Sequence, residues 1–240
     1  MLSAAQRYEK VHRGNPGDLA FYRWVCDGAQ HVLELGCGTG RVLEALAAPE
    51  RALTGVDSDE AKLALARVCC PGTQLIQADM RTFAIDALFD RILVPYNGLY
   101  CLGGEAGIRA ALRAAAAHLK PEGELVFDVY AFEEEDWTGF PTEAEVEPLF
   151  TFATGDDMAH VGHRMVKGAG QQELVATTHW QADEVTAVDE IRHHFLFRDQ
   201  LLDLFPKVGL RVVEERGGFD GQAGGEDVEI RVFRLGHQTT

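Results

Sequence analysis

Residues 32–42 read VLELGCGTGRV. An apolar, strand-forming run ends at Leu35, and Gly36, Gly38 and Gly40 follow at alternate positions. Glycines spaced in this way let a chain leave a strand in a sharp turn and bring backbone N–H groups close to a ligand at the start of the next helix. The spacing separates two ligand classes. Dinucleotide-binding turns carry Gly-x-Gly-x-x-Gly, whereas here the glycines alternate and Glu34 stands two residues ahead of the first of them. That carboxylate repels a pyrophosphate but tolerates a ligand that presents an ammonium and a sulfonium.

Outward from this turn, short apolar runs alternate with helical patterns between residues 30 and 130, the signature of crossover units on a parallel sheet. The runs predict strands at 31–35, 51–56, 73–78, 89–94 and 123–129. Ile108, Leu112, Ala115 and Leu119 fall at helical spacing, with Lys120-Pro121 and Gly123 as the stop. Leu19, Tyr22 and Val25 predict a helix ahead of the first strand, its start signalled by Asn15, Pro16 and Asp18. After residue 130 the pattern changes. Turn clusters at 155–157, 168–170 and 182–184 separate segments 148–154, 158–167, 171–181 and 185–197, which read as an antiparallel meander. A connection this long with strands of its own is a lid or binding element in most α/β domains. The earlier pattern then resumes with a helix at 199–208 and strands at 210–215 and 228–235, which can pair as a hairpin.

At 240 residues and 46% apolar composition, the chain is expected to form one domain with an insert. Its formal charge of −16 repels phosphate backbones, so no nucleic-acid partner is expected. MLSAAQRYEKVHRG lacks an apolar signal core and no apolar run reaches membrane length; the expected compartment is the cytoplasm, with no membrane partner. Cys26, Cys37, Cys69, Cys70 and Cys101 show no Cys-x-x-Cys spacing and are expected to be buried thiols. His160 and His163, like the neighbours His193 and His194, point to opposite faces of a strand, and no metal site is expected. Between 131 and 160, nine acidic residues stand without Lys or Arg, from Glu133–Asp136 through Glu143, Glu145 and Glu147 to Asp156 and Asp157. They read either as a solvated face or as a field that attracts a cationic amine.

Three further motifs extend the reading. TGVDSDE closes the second strand, and Asp57 lies about 20 residues past the glycine turn, where a strand-end carboxylate can accept two ribose hydroxyls. Asp57 can also cap the helix EAKLALAR, a task that Ser58 or Asp59 can take instead. QADMRTF puts Asp79 just past the third strand, and FDRILVPYNGLYCL and HLKPEGELVFDVY end the fourth and fifth. Together with the glycine turn, these residues resemble the class I S-adenosylmethionine-dependent methyltransferases. The resemblance implies a Rossmann-like α/β fold with a seven-stranded, mostly parallel sheet, an antiparallel C-terminal hairpin and an antiparallel β insert after strand 5. It implies a methyltransferase domain at 1–130 and 198–240 and a substrate-binding insert at 131–197. It places Glu34, Gly36, Cys37, Gly38, Asp57 and Ser58 around the cofactor, with Asp79 and the Met80 N–H near the adenine, and Pro95 and Asn97 where the methionine part meets the acceptor.

More narrowly, YEKVHRGNPGDLAFYRW, PYNGLY and IRHHFLFRDQLLDLFPKVGLRVVEERGGFDG look like the bacterial small-molecule branch, which includes glycine N-methyltransferase-like enzymes and aminosugar N,N-dimethyltransferases. That likeness makes Tyr8 a residue closing over the cofactor. VPYN is not the (Asn/Asp/Ser)-Pro-Pro-(Tyr/Phe) box of enzymes that methylate DNA bases or protein glutamine. The expected activity is methyl transfer from S-adenosylmethionine, with S-adenosylhomocysteine as product, to a small-molecule amine. A non-catalytic cofactor-binding protein and an O-methyltransferase remain as alternatives. Displacement at a sulfonium needs alignment more than a base, and Tyr130, Tyr96 and His179 are the groups placed to assist the acceptor. Monomer and homodimer stay open.

Overall fold

The computed structural model describes residues 2–154, 157–182, 184–221 and 228–238. In chain order, α1 (Ala4–Val11) and α2 (Asp18–Val25) precede β1 (His31–Leu35), α3 (Arg41–Leu46), β2 (Ala52–Asp57), α4 (Glu60–Cys69), β3 (Gln74–Gln77) and β4 (Phe89–Val94). A 3-10 turn at Gly98–Leu102 leads to α5 (Glu105–Ala117) and β5 (Leu119–Tyr130). Then come α6 (Glu134–Gly139), β6 (Glu147–Thr154), β7 (Asp157–Lys167), β8 (Glu173–Ala182), β9 (Val185–His194), α7 (Arg198–Lys207), β10 (Leu210–Gly217) and β11 (Ile230–His237).

Seven strands form one sheet in the order β10-β11-β5-β4-β1-β2-β3, and β6 to β9 form a second, antiparallel sheet. The pairs β1–β2, β1–β4, β2–β3 and β4–β5 are parallel, while β11 runs antiparallel to both β5 and β10. This is the expected sheet with its C-terminal hairpin. Strand order reverses at β1, so a crevice opens outside the carboxyl ends of β1 and β4. Both faces of the sheet are covered, which is why the strands read as nearly continuous apolar runs. Leu33, Leu35, Ile92, Phe127 and Phe233 pack on the side of α5 and α7, and Val32, Leu93, Val126 and Val232 on the side of α2 and α3. The first side also takes in Trp137, Leu174, Phe195 and Leu196, so the segment after β5 is sewn into the main core.

Several boundaries differ from the sequence reading. The helix expected to run to Leu119 ends at Ala117, and Lys120-Pro121 lies inside β5, not in a loop. The register of β4 against β5 slips between Phe89 and Arg91, and this bulge accommodates the exposed proline, which cannot donate to a ladder. At Gly123 a Cβ would lie 2.7 Å from the Phe89 carbonyl oxygen, so the bulge requires glycine. β9 stops at His194, short of 197. Two helices were not anticipated. The α1 start carries a Ser3/Gln6 capping box, a signal present in the sequence. Part of the acidic run, Glu134 to Asp136, forms the first turn of α6, where negative charge faces the positive end of the helix. Of the predicted turns, residues 155–156 and 183 lie outside the described residues, as do residues 222–227 between the last two strands and Asp156 of the acidic run.

Candidate active site

The glycine turn follows β1 at the crevice. Gly36 and Gly38 adopt φ of 73° and 54°, in the left-handed region. A Cβ on Gly36 would meet Met80 Cε at 2.9 Å, and one on Gly38 would lie 3.3 Å from the ring of Tyr8. Neighbouring side chains thus close directly on bare backbone. Asp57, at the end of β2, holds this turn: the Gly38 N–H donates to its Oδ2 and the Asp59 N–H to its Oδ1, each at 2.8 Å. Its capping alternative is resolved, because Asp59 accepts from the N–H groups of Ala61 and Lys62 while Ser58 stays exposed.

Glu34 lies on the α2/α3 face of β1 and is buried, and its Oε2 has no hydrogen-bond partner. Burial pushes its carboxyl up to about 8, against the pull of Arg41. Arg41 does not neutralise it, being engaged with Asp18 through two bonds of 2.7 and 3.1 Å. A buried carboxyl with an unpartnered oxygen suits a cationic ligand group. Asp79 is placed otherwise: Arg81 grips its carboxylate at 2.5 Å and lowers its pKa, while Met80 reaches back to the glycine turn. Cys37 is buried beside Gly55, and burial raises its thiol pKa.

The opposite wall comes from the ends of β4 and β5. After the buried Pro95, Tyr96 and Asn97 are both left-handed, at φ 55° and 61°, a conformation that costs non-glycine residues about 1–3 kcal/mol each. Asp128 holds them there, with Oδ1 accepting the Tyr96 N–H at 2.9 Å and its carbonyl accepting the Asn97 N–H at 3.1 Å. The Tyr22 hydroxyl donates to the same Oδ1 at 2.5 Å, and burial lifts the Asp128 carboxyl to about 6. Asn97 Oδ1 in turn accepts the Tyr130 N–H at 2.6 Å. Tyr22 had been read only as a helix-face residue.

Tyr8, on α1, lies 4.1 Å from His12 between ring centroids, the rings tilted by 37°, with Lys62 Nζ 3.7 Å over its ring, and burial raises its phenol pKa. His12 also meets Tyr96 at 5.8 Å between centroids. The second sheet closes this side. Arg7 pairs in bidentate fashion with Asp189 of β9, Lys10 lies over Phe152 of β6, and His193 Nδ1 is 2.9 Å from the Tyr130 hydroxyl. Burial lowers both His12 and His193 to about 4, so both are neutral imidazoles at pH 7.

The expected trio is therefore only partly assembled. Tyr96 and Tyr130 meet through Asn97 and Asp128, but His179 does not join them. Asp189 and His193 face the crevice, and their cross-strand partners Thr178 and Leu174 share that face, which turns His179 to the other. There His179 contacts Thr177 Oγ1 at 3.1 Å and lines a 570 Å³ cavity with Thr151, His160 and Val188. Sequence spacing could have shown this only once the β9 face was known. Cys101 is exposed, contrary to the buried thiol expected; Cys26, Cys37 and Cys70 are buried and Cys69 is half-buried. Among the described residues no cluster of His, Cys, Asp or Glu could hold a metal ion, and no helix is long and apolar enough to cross a membrane.

Residues 32–123 match the model of a methyltransferase domain. Over 228 residues the chain is 29% identical to dTDP-3-amino-3,6-dideoxy-alpha-D-glucopyranose N,N-dimethyltransferase of Streptomyces fradiae, covering 91% of this chain and 88% of that one. The chain carries a methyltransferase domain. Two solved structures share the methyltransferase's fold. One is an S-adenosylmethionine-dependent methyltransferase from Clostridium acetobutylicum (TM-score 0.79, 15% identity, 98% of each chain). The other is CalS10 of Micromonospora echinaspora, an amino pentose methyltransferase solved with S-adenosylmethionine bound (TM-score 0.75, 22% identity, 99% of this chain and 98% of that one).

Proposed function

We propose that this enzyme methylates the amine nitrogen of a small molecule, with aminosugars as the acceptor class. The observation that carries the reading is the acceptor-side wall. Tyr96, Tyr130, His12 and His193 line it as neutral hydrogen-bonding groups, and the two imidazoles are kept uncharged by burial. Such a wall favours a neutral amine, whose lone pair must be free to attack, over its protonated form. The name of the Streptomyces fradiae relative, which spans nearly the whole chain, supports the same class.

In this reading Asp57 would hold the ribose hydroxyls and the glycine turn, with Gly36, Cys37 and Gly38, would lie along the adenosyl group. Ser58 would flank the ribose, and Met80 and Asp79 the adenine, although Asp79 must share its carboxylate with Arg81. Glu34 would receive the ammonium, which gives its orphaned oxygen a partner. Tyr8 would cover the group from α1, and Pro95 and Asn97 would border its methionine part. When bound, S-adenosylmethionine supplies a methyl carbon attached to an already cationic leaving group. What remains for the protein is alignment, worth up to about 7–11 kcal/mol when near-attack geometry is held. The strained Tyr96-Asn97 turn, pinned by Asp128, fixes one side of that geometry, and Tyr130 fixes the other. Segment 131–197 would select the acceptor, since β9 presents His193 and Asp189 to the crevice. The charge of −16 argues against a nucleic-acid acceptor, and a cytoplasmic enzyme is the expected setting.

Purified enzyme should release S-adenosylhomocysteine with dTDP-3-amino-3,6-dideoxyglucose or simple aminosugars as acceptors, and not with the corresponding hydroxyl sugars. Turnover of the hydroxyl sugars alone would replace this reading with O-methylation.

A further inference from the structure

The Tyr130 ring is packed against Tyr100 and Phe132, each at 5.2 Å between centroids, and its backbone N–H is tied to Asn97. What packing does not fix is the direction of the hydroxyl proton. Among the described residues one group does that: His193, on the crevice face of β9, with Nδ1 2.9 Å from the hydroxyl oxygen. We propose that His193 is the positioning residue for Tyr130, accepting its hydroxyl proton so that an oxygen lone pair faces the acceptor nitrogen, and taking the proton that methylation releases. This rests on the amine reading above.

The two residues come from different sheets, and the contact exists only because β9 turns His193, and not its neighbour His194, toward the end of β5. His194 instead points to Glu173, 3.7 Å away. The groups facing the pair are His12 from α1, Tyr100 and Cys101 from the 3-10 turn, and His194 alongside. All but Cys101 are at least half-buried, and none is a carboxylate, so neither member is drawn into an ion pair. A neutral imidazole at rest has one nitrogen free to accept, and Nδ1 is the nitrogen within reach of the phenol.

The lone pair of the neutral amine forms the new C–N bond as the C–S bond breaks and sulfur keeps its pair, leaving the nitrogen as an ammonium. One ammonium proton passes to the Tyr130 oxygen while the phenol's own proton passes to His193 Nδ1. Tyr130 is neutral before and after, and the imidazolium returns its proton to water, which a weakly basic buried imidazole does readily. The nitrogen is then neutral again and able to accept a second methyl.

The test uses the full-length enzyme with dTDP-3-amino-3,6-dideoxyglucose as acceptor. His193→Asn keeps an amide near the Nδ1 position but cannot carry a proton, whereas His193→Phe removes both functions. His193→Asn should lower kcat at least about tenfold with little change in KM, and His193→Phe should lower kcat further and raise KM. Both should lose the solvent deuterium effect on kcat and keep wild-type affinity for S-adenosylhomocysteine, which also reports that they fold. Tyr130→Phe combined with His193→Asn should be no slower than the slower single variant. A second readout needs no acceptor: nitrogen NMR of the free enzyme should show His193 protonated at Nε2, with that preference lost in Tyr130→Phe. If wild type methylates none of the amines, the amine reading fails, and this is seen before any variant is made. If wild type turns over and both His193 variants keep its kcat, KM and solvent isotope effect, the role of His193 is overturned while the amine reading stands.

Discussion

Replacing Asp57 with alanine should damage the ligand-free protein as well as its cofactor affinity. A carboxylate offers about four acceptor sites. Two are already filled by the N–H groups of Gly38 and Asp59, each at 2.8 Å, which leaves two for ribose hydroxyls. Hydrogen bonds to a charged group contribute about 1.5–3 kcal/mol each. At the lower end, the two backbone bonds amount to about 3 kcal/mol of stability, or roughly 6–12 °C in melting temperature for a chain of this size. The two ribose bonds add a similar loss to binding, about 100-fold in Kd. Asp57→Asn should fall between, because its amide donor confronts one of the two backbone donors. Differential scanning calorimetry of the free protein and titration with S-adenosylhomocysteine measure the two effects separately. An alanine variant that binds S-adenosylhomocysteine within threefold of wild type would refute the reasoning, as would one that melts at the wild-type temperature.

Glu34 has a folded pKa above its unfolded one, so its burial favours folding below about pH 4.5 and that contribution is lost as pH rises through about 8. Glu34→Gln should therefore make the free protein more heat-stable than wild type at pH 8–9, with the gap closing toward pH 5, while weakening S-adenosylhomocysteine at least about tenfold; melting curves across pH and calorimetry check both. If the ammonium of S-adenosylhomocysteine pairs with Glu34, binding at pH 7 should release a fraction of a proton, seen as a dependence of the calorimetric heat on the buffer's ionisation enthalpy. Arg7→Ala removes the bidentate pair with Asp189 that ties α1 to β9, and should weaken S-adenosylhomocysteine severalfold through Tyr8 while changing stability by about 1 kcal/mol, measurable by titration and urea unfolding. Phe195→Ala, which empties a site between Trp137 at 4.7 Å and Phe132 at 4.8 Å, should cost about 3–5 kcal/mol in urea unfolding.

The glycine-turn side of the candidate site was legible because its determinants are local. A glycine turn directly after a strand, and an acid at the end of the next one, constrain the backbone within a few residues, and the left-handed Gly36 and Gly38 follow β1 while Asp57 ends β2 and ties the turn. The acceptor half was less legible because it depends on pairing between distant strands. Whether His179 or His193 faces the crevice is set by the one-residue parity of β9 against β8, and a run such as IRHHF offers both faces equally. The Asp128 cluster depends on Tyr22, 106 residues away along the chain, and nothing in a helical spacing marks a tyrosine as a partner for a strand-end carboxylate. Core packing was hidden for the same reason. Within the segment read as an insert, Trp137, Leu174, Phe195 and Leu196 fill the main core, so point substitutions, and not deletion of 131–197, are the means of separating acceptor selection from cofactor binding.

The central claim, methyl transfer to a nitrogen, is tested most directly by where the methyl lands. Enzyme incubated with carbon-13 methyl-labelled S-adenosylmethionine and dTDP-3-amino-3,6-dideoxyglucose should give a product whose labelled methyl protons correlate in NMR with the sugar proton on the amine-bearing carbon, with S-adenosylhomocysteine formed in equal amount per methyl. Correlation to a carbon bearing a hydroxyl, or labelled S-adenosylmethionine recovered intact with this and the simpler aminosugars, would contradict it.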